Sequence, residues 1–145
     1  MHTNIKNLIY IQNEIKSKIS EYKINDYNPN IIAISKTFKI DQILPLIEYG
    51  HIHFGENKVQ EALDKWSEVK SENLNIKLHM VGKLQTNKVK HVIPLFDYIH
   101  SLDNLKLAEK IADQQLKFKK EVKIFIQVNI GNESQKNGIE TQNLE

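Results

Sequence analysis

Lys36 is the residue whose type and place invite chemistry. The segment "IAISKTF" (Ile32–Phe38) sets a lysine two residues beyond an apolar run. Burying a lysine is costly unless the amine is paired or neutralised. Either the chain has reached solvent there, or it holds an amine in place for a purpose. By the two-residue period of a strand, Lys36 shares a face with Ile32 and Ile34. Over an apolar floor, desolvation favours the neutral amine, the form that attacks a carbonyl.

Other polar segments recur where apolar runs end. They are "SKT" (Ser35–Thr37), "FGEN" (Phe54–Asn57), "HMVGKLQTNK" (His79–Lys88), "HSLD" (His100–Asp103) and "VNIGNESQKNGI" (Val128–Ile139). In α/β folds functional groups gather at the C-terminal ends of strands. A lysine amine, amides, histidines and glycines would then converge on one rim. For Asn57, Asn87 and Asn129 the alternative is ordinary turn or cap work. His51 and His53 share a strand face and could begin a metal site, but no acidic ligands accompany them. We expect no metal.

These groups need elements to carry them. A first helix is expected over residues 3–22, with Ile5, Leu8, Ile15, Ile19 and Tyr22 on one face. The turn cluster "NDYNPN" (Asn25–Asn30) ends it. Strand patterns follow at "IIAIS" (31–35), "HIHF" (51–54), "IKLHMV" (76–81), "DYIHS" (97–101) and "VKIFIQVNI" (122–130), the last being the longest. Helical patterns lie between them, at about 41–49, 56–70, 86–96 and from a cap at Asp103 onward. Asp41 is expected to cap the first of these and Gly50 to end it. Val59, Ala62, Leu63, Trp66 and Val69 mark one inner face, and Leu107, Ala108, Ile111 and Leu116 another. Strand–helix alternation with short connections predicts a parallel sheet with right-handed crossovers. Two α/β folds fit: an open, flavodoxin-like doubly wound sheet, and part of a (β/α)8 barrel. Size favours the open sheet, yet no helix pattern follows the fifth strand to cover its second face.

The bulk composition narrows the function. The 145 residues suit one domain, residues 1–145, and 40% hydrophobic with 26% charged residues suits a soluble globular protein. There is no cysteine, which excludes disulfides and thiolate chemistry. Every basic side chain other than histidine is a lysine, and the formal charge is only +2. Without arginine's planar fork, sequence-specific nucleic-acid recognition is not expected. The basic run "KFKKEVK" (Lys117–Lys123) reads as a solvated connection. No apolar run is long enough to span a membrane, and no secretory signal is visible. We expect a cytoplasmic protein, and take "NES" (Asn132–Ser134) as a chance glycosylation pattern.

Four blocks together are more specific than any one. "ISKTF", "FGENKVQEALDK", "LHMVGKLQTNK" and "QVNIGNESQKNGI", in this order and spacing, resemble the pyridoxal phosphate homeostasis protein family. That family is similar to the N-terminal barrel of alanine racemase, and the resemblance runs from about Asn30 to Ile139. It implies an incomplete (β/α)8 TIM barrel, with about five of the eight βα units. It implies pyridoxal 5'-phosphate as cofactor, held through a Schiff base to Lys36. It places Asn57, His79, Gly82, Asn87 and Asn129 around that cofactor. It implies a carrier or reservoir in vitamin B6 homeostasis, not an enzyme. The rivals are a racemase-like enzyme, which would need a second acid/base, and a non-functional remnant of a split gene. In the family the phosphate is held largely by strands that follow the fifth. A second chain supplying those strands is therefore an expected partner, and neither nucleic acid nor membrane is.

Overall fold

The computed structural model describes residues 1–131 and 133–144. Asn132, the first residue of the glycosylation pattern, lies outside the described residues. Helix α1 (Thr3–Glu21) buries Leu8, with Ile5, Ile15 and Ile19 half-buried on the same side. The helix packs against α2 (Ile40–Glu48), where the Asn4 side chain donates to the Gln42 carbonyl at 3.2 Å. Tyr22 is exposed and caps the helix rather than extending the stripe.

Five short strands follow: β1 (Ala33–Ile34), β2 (His53–Glu56), β3 (Lys77–Met80), β4 (Tyr98–Leu102) and β5 (Lys123–Ile126). They form one parallel sheet in the order β1-β2-β3-β4-β5. Helices α2 (Ile40–Glu48), α3 (Val59–Glu72), α4 (Val89–Leu95) and α5 (Leu105–Phe118) connect them. Sequential order with right-handed crossovers puts every connecting helix on one face. This is the order of successive units in a (β/α) barrel. It is not the flavodoxin order, in which the first strand lies inside the sheet, so the doubly wound alternative is discarded. The sheet is open, with β1 and β5 at its edges.

Strand alternation sorts side chains between two faces. Phe54, Leu78, Met80 and Ile99 pack under the helices with Trp66, Val92, Ile93, Leu107 and Ile111 to form the core. The opposite face carries His53, Gly55, His79, Tyr98, His100 and Phe125.

Several boundaries differ from the sequence expectation. The first strand is two residues long, and Ile34 is 48% exposed. It is an edge strand, and on the open face Ile34 stands over Gly55 with about half its surface uncovered. The second strand runs through Gly55 and Glu56, so α3 starts only at Val59. The third helix begins as a 3-10 turn, Thr86–Lys88, before α4. The fifth strand stops at Ile126, which leaves β4 the longest. Beyond it the chain folds back: the Asn129 N–H donates to the Ile139 carbonyl at 2.9 Å, and the Ile139 N–H to Gln127 at 2.8 Å. Asn104, not Asp103, caps α5, its side chain accepting the Leu107 N–H at 2.9 Å. At α2 the Lys39 N–H donates to Gln42 Oε1, so Asp41 is not the cap. Gly50 does end α2, with φ of +97°. Leu116, placed on the inner face of α5 by spacing, is 78% exposed.

Candidate functional site

Lys36 lies just past β1, in the turn Ser35–Phe38, closed by the Phe38 N–H donating to the Ser35 carbonyl at 3.2 Å. Its side chain is exposed, and among the described residues it has no hydrogen-bond or ion-pair partner. Of the two readings of this lysine the structure has the one in which the chain has reached solvent, and the sheltered apolar setting is not present. Ile34, the floor of that setting, is itself half exposed on the open face. What the turn offers is an unengaged amine at the C-terminal rim of the sheet.

Asn57 closes β2 at the same rim. Its Oδ1 is buried and has no partner among the described residues. A buried amide oxygen is expensive to leave unpaired, so it marks a place for a donor. Gly82, after β3, touches the Asn57 backbone. A Cβ on residue 82 would stand 2.2 Å from the Asn57 carbonyl oxygen, so only glycine permits this approach. Asn87 is exposed on the 3-10 turn. Asn129 has turn work instead: its Nδ2–H donates to the Glu133 carbonyl at 3.0 Å, and its Oδ1 faces the Glu133 N–H at 3.4 Å. Lys136 is a surface lysine paired with Glu133.

His79 is the centre of a row of rings across the open face. His53 Nδ1 lies 2.9 Å from His79 Nε2, and His79 Nδ1 lies 2.9 Å from His100 Nε2. Three neutral imidazoles carry enough N–H groups for both links, with His79 donating one and accepting the other. Tyr98 stacks under His79, Phe125 stacks on His100, and the Lys123 amine sits over Tyr98. Burial, then the neighbouring His100 and His53, pushes the His79 pKa down to about 4. Burial lowers His53 and His100 as well. The row is therefore neutral at pH 7. His51 turns away from it and donates from Nε2 to the His53 carbonyl at 2.8 Å. Among the described residues no group of three possible metal ligands is assembled.

Each member of this row is visible in the sequence, but its alignment is not. Pairing of His79 with Gly55 and with Tyr98 brings the rings together, and such register follows from packing that a single strand does not reveal.

A second cluster, on the helix side of β1 and β2, was not anticipated. Glu56, fully buried, accepts on Oε1 from Ser35 Oγ at 2.7 Å, Lys65 Nζ at 2.9 Å and Trp66 Nε1 at 2.9 Å. The period-two pattern of "HFGE" puts Glu56 on the same side as Phe54, which was the available signal.

Comparison with known proteins agrees with this fold. The family described as alanine racemase, N-terminal domain, matches residues 13–145. A pyridoxal phosphate homeostasis protein of Haemophilus influenzae is 35% identical over 138 residues, covering 95% of this chain and 58% of that protein. The protein of the same name from Escherichia coli is 31% identical over 140 residues, covering 96% and 60%. The chain thus spans about three-fifths of the length of these relatives. Among solved structures, PipY of Synechococcus elongatus without PLP superposes with a TM-score of 0.72 at 31% identity, over 86% of this chain and 58% of that one. PipY with PLP bound gives 0.70 at 29% identity, over 86% and 57%.

Proposed function

Because the chain belongs to the alanine racemase N-terminal domain family, we propose that it binds pyridoxal 5'-phosphate at Lys36 and serves as a cytoplasmic carrier or reservoir in pyridoxal phosphate homeostasis. The observation that carries this is the Lys36 amine, which stands at the C-terminal rim with no partner among the described residues. The names of the relatives, and the PLP-bound state of PipY, support the choice of cofactor.

The residues present fit the group. When bound, the cofactor supplies an aldehyde with which a neutral primary amine condenses, losing water. Lys36 is the amine. The orphaned Asn57 Oδ1 accepts one hydrogen bond at the rim, and Gly82 keeps the backbone there low enough to admit a ring. His79, neutral at pH 7, adds no charge beneath the site; both of its ring nitrogens are engaged by His53 and His100, so it presents a ring and not a free donor or acceptor. Asn87 and Asn129 contribute less, since one is exposed and the other is engaged in its own turn.

The carrier role rests on the homeostasis name that the relatives bear. The open edges support a partner that completes the sheet, and we take it to be a second chain supplying further strands. Exposed Ile34, Phe125 and Ile126 at those edges are the surfaces it would cover.

The test is borohydride reduction of the protein with pyridoxal phosphate, followed by peptide mapping, for wild type and Lys36→Ala. A reduced adduct at Lys36, absent in the variant, is expected. No adduct at that position, with or without the remaining strands supplied in trans, sinks the reading. Alanine racemisation with added cofactor is expected to show no turnover, and clear turnover would overturn the carrier role.

A further inference from the structure

We propose that Glu61 and Lys65 of α3 are positioning residues for Lys36, gripping the backbone on both sides of it and so fixing the direction in which its amine points. This rests on Lys36 being the amine that meets the cofactor.

The turn itself raises the need. Lys36 and Thr37 are the central pair of Ser35–Phe38, and Thr37 has φ of +67°. A turn with positive φ at its third position normally places glycine or asparagine there. A β-branched residue in that conformation is strained and needs outside support. Within "SKTF" the one hydrogen bond among the described residues is the 3.2 Å closure from the Phe38 N–H to the Ser35 carbonyl, which leaves the Thr37 N–H to be held from outside.

Helix α3 holds it. The Thr37 N–H donates to Glu61 Oε1 at 2.6 Å. On the other side of Lys36, Lys65 Nζ donates to the Ser35 carbonyl at 2.8 Å. Lys65 also reaches Glu61 Oε1 at 3.1 Å and Glu56 Oε1 at 2.9 Å, which locks the two grips to each other. The Ser35 hydroxyl is tied to the same Glu56 oxygen. The Lys65 side chain is 7% exposed. Burying an ammonium is costly, and an ordinary i,i+4 surface pair leaves it in water; here it is buried against a main-chain carbonyl next to the candidate reactive lysine. The Glu61 carboxyl is held below the usual carboxylate range, first by the Thr37 N–H and then by Lys65. It is therefore ionised, and a strong acceptor, at neutral pH.

The grip acts from behind. Both carboxylates and Lys65 approach from the helix side, so they leave the amine of Lys36 free at the rim. They do not touch the group it would meet, and their effect passes through the backbone of residues 35 and 37.

The experiment compares wild type, Glu61→Ala and Glu61→Gln, with far-UV circular dichroism confirming that each is folded. Glu61→Gln keeps an acceptor oxygen and is the rescue variant. Without cofactor, the Thr37 amide proton is expected far downfield and slow to exchange in wild type. It should be near ordinary values and fast in Glu61→Ala, and intermediate in Glu61→Gln. With pyridoxal phosphate, the yield of reduced adduct at Lys36 at limiting cofactor should fall about tenfold to a hundredfold in Glu61→Ala. The circular dichroism induced in the bound chromophore should weaken, and Glu61→Gln should recover most of both. Equal adduct yield and equal induced signal in wild type and Glu61→Ala overturn the positioning role and leave the Lys36 reading intact. An unprotected Thr37 amide in wild type overturns the grip itself. No adduct at Lys36 in wild type overturns the functional reading, and this inference with it.

Discussion

The imidazole of His79 lies flat on the ring of Tyr98, with centroids 4.2 Å apart and planes 7° from parallel. That packing, with His53 and His100 on its two nitrogens, holds His79 in its neutral form. Its pKa falls from 6.5 to about 4. Between those values the unfolded chain binds a proton at this site and the folded chain does not. Stability therefore rises with pH across that window. The contribution is intact above about 6.5 and is lost as pH falls toward 4. Lys77 and Lys123 add positive charge to the same face, and Asp97 partly offsets it. Urea midpoints measured from pH 7 to pH 4 should fall, and the fall should be shallower in His79→Phe, which cannot take up the proton. An equally steep fall in both would show that another group controls the acid limb.

Trp66 and Glu56 form the second testable pair. The indole Nε1–H donates to the buried Glu56 Oε1 at 2.9 Å, beside Ser35 Oγ and Lys65 Nζ on the same oxygen. Trp66→Phe keeps the six-membered ring but removes the pyrrole with its N–H, which leaves a small void in the core and one donor fewer on buried Glu56, whose Oε2 already has no partner among the described residues. The expected loss is about 1–3 kcal/mol, read from the urea midpoint with the m-value unchanged. A loss below about 0.5 kcal/mol would mean that neither the lost donor nor the void counts at this position.

Gly82→Ala should destabilise through a backbone clash and not through lost flexibility. The added methyl meets the Asn57 carbonyl oxygen at 2.2 Å, and main-chain atoms cannot swing aside as a side-chain tip can. Pushing β2 and β3 apart at the rim should cost about 1–3 kcal/mol. It should also weaken cofactor trapping at Lys36, because Asn57 is carried away with its strand. Wild-type stability in the variant would count against so close a contact.

How much of this could be read beforehand follows from which forces act locally. The helices and the order of the strands follow periods of 3.6 and 2 that single segments carry, so α3 was found with its buried Val59, Ala62 and Trp66. The rim position of Lys36 followed from its place after an apolar run. Its exposure is one of the two readings that the residues leave open. "IIAIS" reads as a strand buried on both faces, and only the open edge of the assembled sheet leaves Ile34 uncovered. The same limit hid the histidine row, since the contacts of His79 depend on strand register. It hid the grip of Glu61 and Lys65 on residues 35–37 as well, because Thr37 and Glu61 are 24 positions apart. Asn129 was legible as a residue type with two possible jobs, and its side chain is used for the turn.

The β5 edge gives the last prediction. β5 pairs with β4 on one side, and Phe125 and Ile126 are 52% and 55% exposed. Backbone N–H and C=O groups on a free edge, next to exposed apolar side chains, form a template for another strand. The fold-back of Ile139 protects only the chain beyond Gln127. The chain by itself should therefore self-associate, and sedimentation velocity over a concentration series should show species larger than a monomer. Phe125→Lys sets a charge on the open face of that edge, a device natural proteins use against edge pairing. It should shift the distribution toward monomer. The substitution lies away from Lys36 and leaves the grip on Ser35 and Thr37 untouched, so adduct formation per folded chain should hold steady. A wild-type chain that stays monomeric across the series would show that the edge is already satisfied, and with it would go the case for a strand-donating partner at β5.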